Sequence, residues 1–174
     1  GYKKTSKKYY RGNIENEDKN HKMISGLTKN VEGTIKLDEN TYASTDIGKI
    51  RENQEDAVLL IKDNDIPDFK MIVVADGMGG LDNGEVASNI VVTELKEWFE
   101  KLNLEQKECY YNGIHGLKDS LLEEIEIKVQ GKIRFDTLQA GGTTLVCAVV
   151  GKNETMVVNI GDSRAYKVKN GKID

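Results

Sequence analysis

Apolar residues fall into short runs separated by polar clusters, and one run, Met71 to Ala75, stops at a carboxylate, Asp76, with glycines at 77, 79 and 80 just beyond it. A run that is apolar on both faces predicts a strand in the middle of a core. The glycines let the backbone turn tightly and approach something small, because no Cβ stands in the way. Upstream, Thr34 to Leu37 reads as a short strand, Glu39-Asn40 as a turn and Thr41 to Ile47 as a strand. Ala57 to Ile61 is another, and Asp63-Asn64-Asp65 with the sole proline, Pro67, turns the chain into Met71. The period then changes. Val86, Ala87, Ile90, Val91, Leu95, Trp98, Phe99 and Leu102 recur at three- and four-residue steps, predicting a helix over Asn83 to Leu102 with one buried stripe. A second helix is expected over Glu108 to Gln130, weakened in its first turns by Gly113 and Gly116. The last third reads as strands: Thr143 to Val150, Thr155 to Ile160 and Ser163 to Lys169. Asn170-Gly171 signals a hairpin into a further strand from Lys172.

Composition narrows this picture. At 174 residues with 38% apolar content the chain has the size of one domain with a real core. A net charge of -4 spread over mixed charges leaves no footprint for nucleic acid, and no apolar run approaches a membrane span. Cys109 and Cys147 form no Cys-x-x-Cys pair, so neither a disulfide framework nor a zinc site is indicated, and a cytoplasmic setting is expected. The first thirty or so residues are basic, then mixed in charge, with little to bury. Residues 1–40 are accordingly read as a partly disordered N-terminal tail and 41–174 as the folded portion. The start at Gly1 and the strand beginning two residues before Asp174 suggest a portion of a longer domain.

The polar residues at the strand ends carry the candidate chemistry. Glu55, Asp56, Asp76 and Asp162 each lie beside a turn, and the carbonyl of Gly77 adjoins Asp76. Gathered carboxylates raise one another's pKa unless cations neutralise them, and hard oxygen donors select Mg²⁺ or Mn²⁺ over softer metals. Arg51 offers the planar fork that binds two oxygens of a phosphate at once. Singly, each residue has a plainer explanation: Arg51 a surface ion pair, Glu55-Asp56 and Asp76-Gly77 turns, Asp162-Ser163 a turn or cap.

Taken in order, Thr45-Asp46-Ile47-Gly48, Arg51-Glu52-Asn53-Gln54-Glu55-Asp56, Val74-Ala75-Asp76-Gly77-Met78-Gly79-Gly80, Gly141-Gly142-Thr143-Thr144 and Asn159-Ile160-Gly161-Asp162-Ser163-Arg164 resemble the bacterial branch of the type 2C metal-dependent protein serine/threonine phosphatases, over about Thr41 to Asp174. The resemblance implies an α+β fold, a sandwich of two antiparallel β-sheets flanked by helices in four αββα layers, with the metal site in a cleft at one end. It implies two Mg or Mn ions, with a third in many members. Asp76 would bridge two ions, the Glu55 carboxylate and the Gly77 carbonyl would serve one of them, and Asp162 would help hold the third. Asp56 would orient the attacking water and Arg51 would bind the substrate phosphate. The implied substrates are phosphorylated proteins, hydrolysed at phosphoserine and phosphothreonine.

Two departures accompany the resemblance. His21 and His115 match no histidine motif of the eukaryotic relatives, so that general-acid role is unfilled. The chain ends before the family's later Ser-Asp-Gly segment and Asp-Asn pair, so it is read as the N-terminal part of the catalytic domain, apparently truncated, with missing strands and aspartates to come from elsewhere in the parent or from a second chain. The alternative reading is a non-catalytic, truncated phosphatase-like binding or regulatory module. A third, a sandwich whose acidic turns bind Ca²⁺, leaves Arg51 without a purpose.

Overall fold

Residues 21–24, 33–46, 49, 54–80 and 82–173 are described by a computed structural model. Its strands are β1 (His21–Ile24), β2 (Gly33–Asp38), β3 (Thr41–Thr45), β4 (Asp56–Lys62) and β5 (Lys70–Met78), then β6 (Gly142–Thr143), β7 (Leu145–Val150), β8 (Thr155–Ile160), β9 (Val168–Lys169) and β10 (Lys172–Ile173). Between β5 and β6 run α1 (Asn83–Lys101), α2 (Leu104–Asn112), a 3₁₀ turn (Ile114–Gly116), α3 (Leu117–Glu123), a π-helical turn (Glu124–Val129) and α4 (Gln130–Asp136). The large sheet has the antiparallel order β1-β4-β5-β7-β8, with β6 continuing beside β5.

Alternation along β5 decides what each face meets. Met71, Val73 and Ala75 are fully buried on the helical side, beside Ala57, Leu59 and Ile61 of β4 and Leu145, Cys147 and Val149 of β7. Val91, Val92, Leu95, Trp98 and Phe99 of α1 complete this core, joined by Leu117, Leu121, Ile125 and Val129. The opposite face of β4 and β5 meets the β2–β3 hairpin, where Val58 and Leu60 pack with Leu37, Ala43 and Ile72. This gives the sandwich its second layer. Cover on that side thins toward β7: Val74 is partly exposed, so β5 is central in the sheet but is not sealed on both faces as its all-apolar sequence predicts.

Two ion pairs fasten turns to this frame. Lys70 Nζ lies 2.6 Å from an Asp38 carboxylate oxygen, and that hydrogen bond holds the Asp38 carboxyl down at about 2. Burial pushes the Asp63 carboxyl up, but Lys107 at 2.6 Å and the N–H groups of Ile66 and Asp65 outweigh it, so its pKa is lowered.

Several elements differ from the sequence pattern for identifiable reasons. β2 forms where a short strand is expected over Thr34 to Leu37 and pairs with β3, while β1 adds a strand beside β4 within the residues read as tail. The second helix starts earlier, where Asn103 and Gln106 form a reciprocal capping box, and breaks at Gly113 before resuming at Leu117. The strand expected over Ser163 to Lys169 shrinks to Val168–Lys169, which pairs only with Lys172–Ile173. Its hairpin turn is as expected, with Asn170 and Gly171 both at positive φ, 52° and 73°.

Candidate active site

β4 begins at Asp56 and β5 approaches its end at Asp76, and the ladder sets these two residues directly opposite each other. Alternation places both on the face that looks toward β2–β3, so two carboxylates share one end of the space between the sheets. Like charges so placed repel, and a cation relieves them. One step further, the N–H of Gly77 donates to the Glu55 carbonyl at 3.1 Å, which carries Glu55 into the same corner.

Gly77 itself points at the helical side, under the first turn of α1. A Cβ built there would stand 2.1 Å from the Gly84 carbonyl oxygen and 2.7 Å from that of Glu55. Gly77 therefore has a packing reason: the N-terminus of α1 rests directly on the end of β5.

Thr144 organises the other flank. It interrupts the single strand expected over Thr143 to Val150, dividing it into β6 and β7. Its N–H donates to the Asp76 carbonyl at 2.9 Å, and its hydroxyl Oγ1 accepts from the Asp76 N–H at 3.1 Å. The same Oγ1 lies 2.6 Å from Ser163 Oγ, and the Asn159 side chain donates to the Ser163 carbonyl at 2.9 Å. Asp162, exposed on the turn between Gly161 and Ser163, is thereby tied to Asp76 through one threonine. Gly161, at φ 102°, lies so close over Thr144 that a Cβ there would meet its Cγ2 at 2.9 Å.

The structure thus brings together the backbone and strand positions of Glu55, Asp56, Asp76, Gly77 and the Asp162 turn. Among the described residues, no three His, Cys, Asp or Glu side chains converge tightly enough to hold a metal. The donors at this corner, carboxylates and a backbone carbonyl, fit a hard divalent cation by their chemistry. Arg51 lies outside the described residues. Nothing in the residue order alone singles out Thr144, Asn159 or Gly84, or marks Ser163 as more than part of a turn. The Gly-Gly-Thr-Thr and Gly-Asp-Ser strings signal a shared turn, but only the register shows that Thr144 faces Asp76.

Residues 50–174 match the protein phosphatase 2C family. The chain is 34% identical over 129 residues to serine/threonine phosphatase stp of Listeria monocytogenes serovar 1/2a, an alignment covering 72% of this chain and 48% of that protein. Its fold resembles serine/threonine phosphatase Stp1 from Staphylococcus aureus with a TM-score of 0.58 at 33% identity, over 74% of this chain and 49% of the other. The S. agalactiae serine/threonine phosphatase superposes with a TM-score of 0.59 at 26% identity, over 74% and 51% of the two chains. The chain spans about half the length of the relatives it matches.

Proposed function

Since this chain belongs to the protein phosphatase 2C family, we propose that it forms part of an enzyme that hydrolyses phosphoserine and phosphothreonine in proteins, using divalent Mg or Mn. The observation that carries the reading is the pairing of Asp56 with Asp76 at the sheet end, with the Asp162 turn tied to Asp76 through Thr144. In this reading the Asp76 carboxylate, the Gly77 carbonyl and the Glu55 carboxylate would hold the cations, two in number, and Asp162 would serve a third. Divalent ions, when bound by these residues, would supply an activated water and charge neutralisation for attack on phosphorus. Asp56 orients the attacking water by accepting its hydrogen bond. Arg51 engages two phosphate oxygens and so fixes the phosphorus against that water. Thr144 holds the Asp76 backbone from both its N–H and its carbonyl, so the carboxylate starts from a fixed strand position.

Among the described residues no helix is long and apolar enough to cross a membrane. Both cysteines are free, which suits the reducing cytoplasm proposed as the setting.

One observation favours a non-catalytic binding module instead: no three acidic side chains converge among the described residues. The deciding experiment is phosphate release from phosphoserine and phosphothreonine peptides by the natural full-length protein carrying this chain, with Mn²⁺ and with a chelator. Release that needs the ion and falls at least a hundredfold in Arg51→Ala supports hydrolysis at this site, a loss on the order of one removed charge-stabilising donor. Peptide binding without release supports the module.

A further inference from the structure

We propose that Leu138, with Phe135 beside it, is a specificity determinant that receives an apolar side chain flanking the phosphorylated residue of a protein substrate; this rests on the phosphatase reading above. The observation is a helix terminus built with the wrong residue. α4 ends in a double clasp, with the Gln139 N–H donating to the Arg134 carbonyl at 2.9 Å and the Leu138 N–H to the Phe135 carbonyl at 3.3 Å. That bond pattern requires a left-handed residue at its centre, the position where glycine, or else asparagine, is favoured. Leucine occupies it at φ 50°, and Gln139 follows at φ 66°. A Cβ is penalised in this region, so the leucine is held there against its own backbone preference.

Burial does not explain the choice. Leu138 is 88% exposed and Phe135 81%. The apolar contact that often accompanies such a terminus would join residues 134 and 139, which here are arginine and glutamine. Within this portion of the chain, leucine in a disfavoured conformation and an exposed large aromatic therefore serve neither the helix cap nor the core.

Their place in the fold supplies the occupant. The segment leaving Leu138 lies on the glycine turn of the candidate site: a Cβ at Gly79 would stand 2.9 Å from the Ala140 carbonyl, and one at Gly141 2.6 Å from that of Asn83. Met78, one residue beyond Gly77 and on the same face as Asp76, is also about half exposed. Leu138 thus stands two residues from a backbone contact with the turn that follows Asp76, and Met78 is exposed beside that turn. In this proposal a polypeptide whose phosphate enters that corner lays a neighbouring residue over Leu138. An apolar neighbour would be desolvated there, and a small phosphate ester would never reach it.

The test compares three substrates in the natural full-length protein with Mn²⁺: a phosphothreonine peptide with leucine or phenylalanine at its flanking positions, the same peptide with serine there, and a small aryl phosphate. Wild type should prefer the apolar peptide by about tenfold in kcat/KM, the effect of partly burying one leucine-sized group. Leu138→Asn and Leu138→Gly, both suited to the left-handed position, should melt no lower than wild type, abolish the preference and leave aryl phosphate turnover unchanged. The proposal is overturned if wild type shows no preference, if the variants keep it, or if Leu138→Asn instead dissolves a dimer seen by sedimentation, which would assign Leu138 to a second copy. Absence of turnover on all three substrates overturns the phosphatase reading as well, whereas aryl phosphate hydrolysis without a flanking preference overturns this inference only.

Discussion

Replacing Gly77 by alanine should destabilise the fold more than any other single methyl addition along the Asp76 turn. The added Cβ would stand 2.1 Å from the Gly84 carbonyl oxygen and 2.7 Å from the Glu55 carbonyl oxygen. Neither obstacle can rotate away, because both are backbone: Glu55 is held by the Gly77 N–H, and Gly84 lies in the first turn of α1. Accommodation requires α1 to lift from β5 by roughly an ångström, and overpacking of a rigid contact costs about 3 kcal/mol, the upper end of the usual range. For a domain of this size that corresponds to a fall in Tm of roughly 6 to 12 °C. Gly131 is the internal control, since it sits in α4 with nothing within 4 Å of a built Cβ. Gly131→Ala should gain about 0.4 to 1 kcal/mol from helix propensity and the stiffer unfolded chain. Thermal unfolding followed by circular dichroism reads both. A Gly77→Ala variant that melts with wild type, or below which Gly131→Ala falls, would refute the packing argument.

Thr144→Val keeps the shape but leaves the Asp76 N–H without its acceptor, which should cost about 1 to 3 kcal/mol and reduce kcat, while Thr144→Ser restores both; denaturant titration and turnover measure the pair. The Asp38 carboxyl is depressed in the folded state, so the stability from its Lys70 pairing should be fully present above about pH 4 and disappear as pH falls toward 2. The lowered pKa of Asp63 acts in the same direction, and Lys70→Met should flatten the acid limb of an unfolding midpoint measured against pH. Burial pushes the Cys147 thiol up to about 12, so native protein should take alkylating reagent at exposed Cys109 only, with Cys147 labelling after unfolding; mass spectrometry distinguishes the sites.

How much of this was legible in the residue order depended on range. The Ala57–Ile61 and Thr155–Ile160 strands, the α1 stripe and the Asn170-Gly171 hairpin are short-range patterns, and each stands where the pattern puts it. The carboxylates at the strand ends were also visible, because a run stopping at Asp76 is a local feature. What sequence order could not show was register. Asp56 opposite Asp76 and Thr144 against Asp76 are contacts across strands, set by pairing rather than by any neighbouring residue. Likewise, Ser163 to Lys169 alternates like a strand, but Ser163 is drawn back by Thr144 and Asn159, and a tertiary tether overrides propensity. Leu138 was silent for the same reason: nothing local marks a leucine for a left-handed helix cap.

The central claim, that the end of β4 and β5 is a divalent-metal phosphatase site, is tested most directly by Mn²⁺-dependent hydrolysis of a small aryl phosphate by the natural full-length protein and its Asp76→Asn variant. Wild type should turn over the ester in a way that a chelator abolishes, and the variant should lose nearly all turnover while its Tm matches wild type. A variant that retains the wild-type rate, or a rate that survives chelation, would contradict the claim.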